Sequence, residues 1–293
     1  MERSKFIASI FLITTAMTTL SAFKNFTDAL KDQGTIMPVL FIGHGSPMNG
    51  IEDTHFSRGW KKMAADIPTP SAVLVVSAHW FTKGTQITAM DFPKTIHDFG
   101  GFPQALFDVQ YNAPGHPALA KETASMITST QIELDHEWGL DHGTWTVVRH
   151  MYPEANIPVL QLSIDYTKGP QFHYDLAKEL FALRKKGVLI IGSGNMVHNL
   201  RMVAWDKLNE PEYGYDWALQ MNDQFKHLIS SGDYKPLINF ESLGAVAKLA
   251  IPTPEHYLPL LYTLGLRGSN DAIEFFNDKA VGGSLTMTSV KIG

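Results

Sequence analysis

The 293-residue chain contains no cysteine. That absence excludes disulfides, thiolate metal sites, iron–sulfur clusters and a Cys nucleophile. Positive charge is scarce too: 24 Lys and Arg stand against 29 Asp and Glu, a net charge of −5. A nucleic-acid binder carries a basic patch or stripe, so no nucleic-acid partner is expected. Also missing are a GxSxG nucleophile elbow, a Walker A loop and a GxGxxG behind a strand. The run Gly192-Ser193-Gly194-Asn195 lacks the third glycine of a dinucleotide site. What the chain does have is 12 histidines. With thiolates excluded, any metal site must be built from His, Asp or Glu, and neutral imidazole suits Zn²⁺, Fe²⁺, Cu²⁺ and Ni²⁺.

One long apolar run is present. Arg3 and Lys5 precede residues 6–23, an uncharged stretch diluted by threonine and serine. The layout is that of a secretory signal or anchor, although Ser21-Ala22-Phe23 matches a small-x-small cleavage site poorly. At 18 residues the run is marginal as a membrane span, and an N-terminal helix packed on the domain is the competing expectation. If residues 1–23 act as a signal, the protein is periplasmic or membrane-anchored. Residues 1–35 are therefore read as an apolar segment and connector, and 36–293 as one domain.

Within that domain, short apolar runs alternate with helical patterns. Residues 37–42, 72–77, 157–164 and 188–191 are rich in Val, Ile and Leu and bounded by Gly, Pro and Ser. They read as strands buried on both faces. Residues 117–129, 172–186 and 217–231 carry helical spacing, and 283–290 alternate as a strand does. The expectation is an α/β class, a single-domain α/β/α sandwich with a central, largely parallel or mixed sheet.

The histidines fall at informative places. His44 follows the first strand, His79 the second, and His198 the fourth after a glycine-rich loop. Parallel strands share a carboxyl edge, and ligands bind in the crevice beyond it. Three histidines at that edge point to a shared site. His256 is a fourth candidate, at an expected helix start capped by Thr253 with Pro254 in the first turn, and Glu255 beside it competes as the ligand. His142 lies in a loop behind Asp141. His97 lies in an aromatic, glycine-containing loop with Phe99 and Phe102 that could cover a site. Ser46, before Pro47, reads as a turn residue rather than a nucleophile. An open site of several imidazoles fits non-haem Fe(II) oxygen chemistry and equally a Zn²⁺ hydrolase.

In order along residues 36–293 come Gly43-His44-Gly45-Ser46-Pro47, Ser77-Ala78-His79-Trp80, Asp98-Phe99-Gly100-Gly101-Phe102-Pro103, Gly139-Leu140-Asp141-His142-Gly143-Thr144-Trp145, Gly192-Ser193-Gly194-Asn195 with Val197-His198-Asn199, and Thr253-Pro254-Glu255-His256-Tyr257-Leu258-Pro259-Leu260. The set resembles the class III extradiol ring-cleavage dioxygenases, in their 4,5-DOPA extradiol branch. The resemblance implies one divalent metal per chain, Fe(II) for catalysis with Zn(II) plausible as the bound ion. It implies His44, His79 and His256 as ligands, with His198 a further ligand or the acid–base residue. It implies His142 in substrate contact or catalysis, and Phe99, Phe102 and His97 as substrate-binding candidates. The partners implied are a small aromatic diol and O₂, and the family default is cytoplasmic. A non-enzymatic relative that had lost its metal would have lost these histidines, and here they are all present.

Overall fold

The computed structural model describes Gly34, residues 36–208, Glu210 and residues 212–293. The apolar run 6–23 lies outside the described residues. Among those described, no helix is long and apolar enough to cross a membrane.

The strands are β1 Val39–Gly43, β2 Ala72–Thr82, β3 Thr85–Thr88, β4 Ile132–Asp135, β5 Val159–Asp165, β6 Val188–Gly194, β7 Ile273–Phe276, β8 Ala280–Val281, β9 Leu285–Thr286 and β10 Ser289–Ile292. Eight of them form one sheet in the order β4-β3-β5-β2-β6-β1-β10-β7. The middle is parallel: β5 with β2, β2 with β6, and β6 with β1. Antiparallel pairs flank it, β3 with β5 on one side and β1 with β10 with β7 on the other. The sheet is thus mixed around a parallel centre.

The unbroken apolar runs are explained by two-sided burial. Successive side chains point to opposite faces. Phe41, Leu74, Leu162 and Ile190 face one core layer, and Ile42, Val75, Val159 and Ile191 face the other. The second layer is closed by helix α1 (His55–Asp66) through Trp60 and Met63, and by α4 (His142–Met151) through Trp145 and Val148. The first is closed on α5 (Pro170–Glu179), α7 (Asp216–Ser231) and α10 (Leu258–Gly265). Helix on sheet on helix is the arrangement that hides both faces of such strands. The remaining helices are α2 (Gln104–Phe107), α3 (Pro117–Met126) and α6 (Phe181–Lys185), with α8 (Lys235–Ile238) and α9 (Ala245–Ala250) between α7 and α10.

Three expectations are corrected. The helix expected over 172–186 is two, broken at Leu180, whose N–H bonds the Ala177 carbonyl three residues back and tightens the turn. The strand expected over 283–290 is β9 and β10 with a break at Met287 and Thr288. There the Met287 N–H bonds the Lys279 carbonyl, and its own carbonyl crosses so close to Gly43 that a Cβ at 43 would sit 2.6 Å away. The helix expected over 117–129 ends at Met126.

A buried histidine ties α5 to α10. His173, fully buried, has its Nδ1 3.0 Å from the Tyr262 hydroxyl. Burial pushes this ring down to about 4 from the usual 6.5. The unfolded chain therefore binds the proton that the folded chain refuses, so stability is present above pH 6.5 and drains as pH falls toward 4. Between about pH 7.5 and 5 this one ring is expected to cost about 2 kcal/mol. Urea unfolding of wild type and His173→Gln at both pH values checks it: the pH-dependent difference should shrink by that amount in the variant. An unchanged difference would remove His173 as a source of acid lability.

Candidate functional site

His44 and His198 lie past the ends of β1 and β6, as their sequence positions suggest. His79 does not. It is inside β2, where the pairing with β5 shifts register between Val76 and Phe81. The irregularity, not the strand end, re-aims the side chain. His256 also arrives differently. No helix starts at Pro254; α10 begins at Leu258, because the Thr253 hydroxyl donates to Glu255 Oε1 (2.7 Å) rather than capping a turn. The turn carrying His256 is held against β6 by the Asn195 N–H, which donates to the His256 carbonyl at 2.9 Å. Only glycine permits this approach at 194: a Cβ there would lie 2.1 Å from the same carbonyl oxygen.

His44, His79 and His256 are brought together, with one ring nitrogen from each inside a cluster whose atoms all lie within 4.8 Å of one another. His198 stacks on His256, centroids 3.6 Å apart and planes 10° off parallel. His142 packs against His79 at 3.8 Å between centroids.

The hydrogen-bond network sets the tautomers. The Ser193 hydroxyl donates to the Gly143 carbonyl at 2.5 Å, so its oxygen is left to accept from His44 Nδ1–H at 3.0 Å. His79 Nδ1 lies 3.4 Å from Asp98 Oδ2, and His256 Nδ1 lies 3.3 Å from Glu255 Oε1. With an acceptor beside each Nδ1, each Nε2 can present its lone pair to a metal. The Nε2 atoms of His44 and His79 face each other at 3.0 Å. Two lone pairs so close repel unless a cation takes them up. Protonation is opposed, since burial and then the neighbouring rings hold His44 and His79 well below the usual histidine range. Burial lowers His256 as well, against the pull of Glu255. His198 is pushed down to about 2 by burial and by His256. Neutral imidazoles converging on one point, each with an outer acceptor, fit a divalent metal such as iron or zinc.

Asp98 is the residue the sequence motifs carried without a role. Its side chain is 18% exposed and touches two histidines: Oδ2 faces His79, and Oδ1 lies 3.0 Å from His142 Nδ1. That last contact is off hydrogen-bond angle, but Oδ1 also accepts the His142 N–H at 2.9 Å. Burial alone would raise the Asp98 carboxyl; the His142 contacts more than offset it and hold it below the usual range. Glu255 follows the same pattern, brought down to about 2 by His256 and Thr253 against burial. An acid in the glycine–phenylalanine loop that also carries His97 was the available signal.

His142 opens α4, and Asp141 caps it, accepting from the Thr144 N–H at 3.1 Å. Asp141 is itself fixed by the Ser77 hydroxyl and the Gln161 amide, both at 2.7 Å. Phe99 stands edge-on to His142 at 5.5 Å and to Phe102 at 5.4 Å. His97 stands edge-on to Phe99 at 5.8 Å and packs with Phe107 and Trp145, with its Nε2 3.0 Å from the Val109 carbonyl. Trp80 is buried, stacked parallel to Trp138 at 5.7 Å. Ser46 accepts from the Met48 N–H at 3.3 Å and caps a 3-10 turn, as a turn residue does.

Comparison with known proteins gives this arrangement a family. The chain is 48% identical over 275 residues to a 4,5-DOPA dioxygenase extradiol of Escherichia coli K12, covering 91% of this chain and 100% of that one. It is 34% identical to the 4,5-DOPA dioxygenase extradiol of Beta vulgaris, with 89% and 98% of the two chains covered. The crystal structure of an uncharacterized protein from E. coli K12 superposes with a TM-score of 0.76 at 42% identity, spanning 88% of this chain and 100% of the other. The model of the catalytic LigB subunit of aromatic ring-opening dioxygenase matches residues 37–290, which take in every histidine of the cluster, and the chain belongs to that family.

Proposed function

We propose that this protein is an extradiol dioxygenase that opens the ring of a DOPA-like catechol with O₂ to give a muconic semialdehyde, with residues 36–293 as its catalytic domain. The observation that carries this reading is the set of neutral, buried imidazoles of His44, His79 and His256 with their Nδ1 atoms committed elsewhere. These three are the metal ligands, and Fe(II) is the working ion. A divalent metal held by these residues would supply Lewis acidity toward the diol oxygens and a redox path between ring and O₂.

The chain supplies the rest. His142 takes the substrate proton, because the Asp98 carboxylate beside its Nδ1 stabilises the imidazolium that forms. His198, stacked on His256 and neutral, adjoins the ligands and holds a hydroxyl of the diol or serves as a further ligand. Phe99, with Phe102 behind it, forms an apolar wall for the aromatic ring. Excluding water there keeps the opened ring from side reactions.

Anaerobic reconstitution with Fe(II), followed by DOPA and simpler catechols in air, tests the proposal. Stoichiometric O₂ uptake and a yellow semialdehyde are expected, with the Zn(II)-loaded protein inactive. Tight metal binding with no turnover of any catechol would overturn it.

A further inference from the structure

A cleft opens beside His79 that the ring-opening step itself does not use. Its volume is about 410 Å³, and its lining includes His79, Trp80, Lys94, Asp135, Glu137 and Trp138. A second space of similar volume shares Lys94, Glu137 and Trp138 and reaches Phe92, which is 83% exposed. Together they lead from His79 to the surface. His79 joins the two regions, since its Nε2 faces His44 while the same residue lines the cleft.

The cleft walls belong to the segments that build the site. The Lys94 carbonyl accepts the Leu140 N–H at 2.8 Å, and the Ile96 N–H donates back to the Leu140 carbonyl at 2.7 Å. Lys94 therefore stands on the strap that leads to Asp98, and Trp138 on the one that leads to His142. Of the charged groups in the lining, Asp135 is already engaged by the Glu137 and Trp138 N–H groups. Lys94 makes no ion pair with the described residues. Glu137 likewise has no described cation partner. One cation and one anion thus line the cleft without a described partner, beside Trp138, which stacks on the buried Trp80.

We propose that this cleft takes the substituent of the ring, and that Lys94 selects catechols whose side chain ends in a carboxylate, with Glu137 receiving an ammonium on the same chain when there is one. This rests on the dioxygenase reading and adds the determinant of substrate class. A partly solvated ion pair gives modest discrimination, so about a 5- to 10-fold effect is expected.

The test compares 3,4-dihydroxyphenylpropionate, DOPA, dopamine and 4-methylcatechol with the Fe(II)-loaded wild type, Lys94→Met and Lys94→Glu. In Lys94→Met, KM should rise about 5- to 10-fold for the two carboxylate-bearing catechols, with kcat and the 4-methylcatechol KM unchanged. Lys94→Glu should shift the preference toward dopamine. Equal losses on all four substrates, or no change on any, would overturn the assignment. If the wild type opens no catechol, calorimetry on the Zn(II)-loaded protein separates the two readings. Tighter binding of the propionate than of 4-methylcatechol, lost in Lys94→Met, supports the cleft while the dioxygenase reading falls. Equal binding overturns the cleft as well.

Discussion

Replacing His44 by alanine is expected to leave a folded protein that no longer holds its metal and no longer opens a ring. The placement of His44 accounts for both losses. It is buried, and its Nδ1–H is spent on Ser193, whose own proton is spent on the Gly143 carbonyl. That chain joins the ends of β1 and β6 to the first turn of α4 and leaves the ring one orientation. Outer partners of a metal ligand are worth about 10- to 100-fold in affinity or activity, so removing the ligand itself should exceed that. The fold should survive. The deleted ring sits at the sheet edge, outside both apolar layers, and its loss also relieves the opposed lone pairs of His44 and His79. Metal content after dialysis, O₂ uptake and the thermal midpoint check the three parts. A variant that retains stoichiometric metal and more than a tenth of wild-type turnover would show that His44 is not a ligand.

The parallel centre of the sheet was legible because burial on both faces leaves a plain mark: residues 72–76 and 188–191 are apolar throughout, with no polar alternation to hide. The antiparallel margin was harder. β7 and β8 carry no strong strand pattern, and the interruption at Met287 comes from a backbone crossing over Gly43, a tertiary event that local spacing does not record. The site divides the same way. Histidines at strand ends could be placed at one edge from strand direction alone. His79 reached that edge by an irregularity inside β2, and His256 by a turn held on Gly194 and Asn195. The hydrogen-bonding shell was almost invisible. Ser193, Ser77 and Gln161 read as strand residues, and only their neighbours in space give them work to do. Asp98 was visible as a motif member, but its two histidine contacts come from different elements, one on β2 and one on α4.

That double contact makes Asp98→Asn the most informative single change after the ligands. Asparagine has nearly the same shape, so packing is preserved and only the chemistry of one atom changes. The carboxylate offers acceptors to both sides: Oδ2 toward His79 Nδ1 at 3.4 Å, Oδ1 toward His142 Nδ1 at 3.0 Å and to the His142 N–H at 2.9 Å. An amide has a single acceptor oxygen. If that oxygen keeps the His142 backbone bond, the NH₂ group confronts His79 Nδ1–H, donor against donor. His79 must then turn, or move its proton to Nε2 and lose the lone pair that a metal needs. If the amide flips, His142 meets the donor instead and its imidazolium loses its counter-charge. Either outcome damages one of two roles, so the expected loss is about 10- to 100-fold in metal affinity or about 10²- to 10⁴-fold in kcat. The split between them reports which way the amide faces. Asp98→Ala, which leaves room for water to accept from either ring, should be the milder variant in metal binding. Metal titration and O₂-uptake kinetics on both variants decide it. An Asp98→Asn enzyme within twofold of wild type on both measures would mean that the carboxylate only closes the loop, and that His79 and His142 are oriented by packing alone.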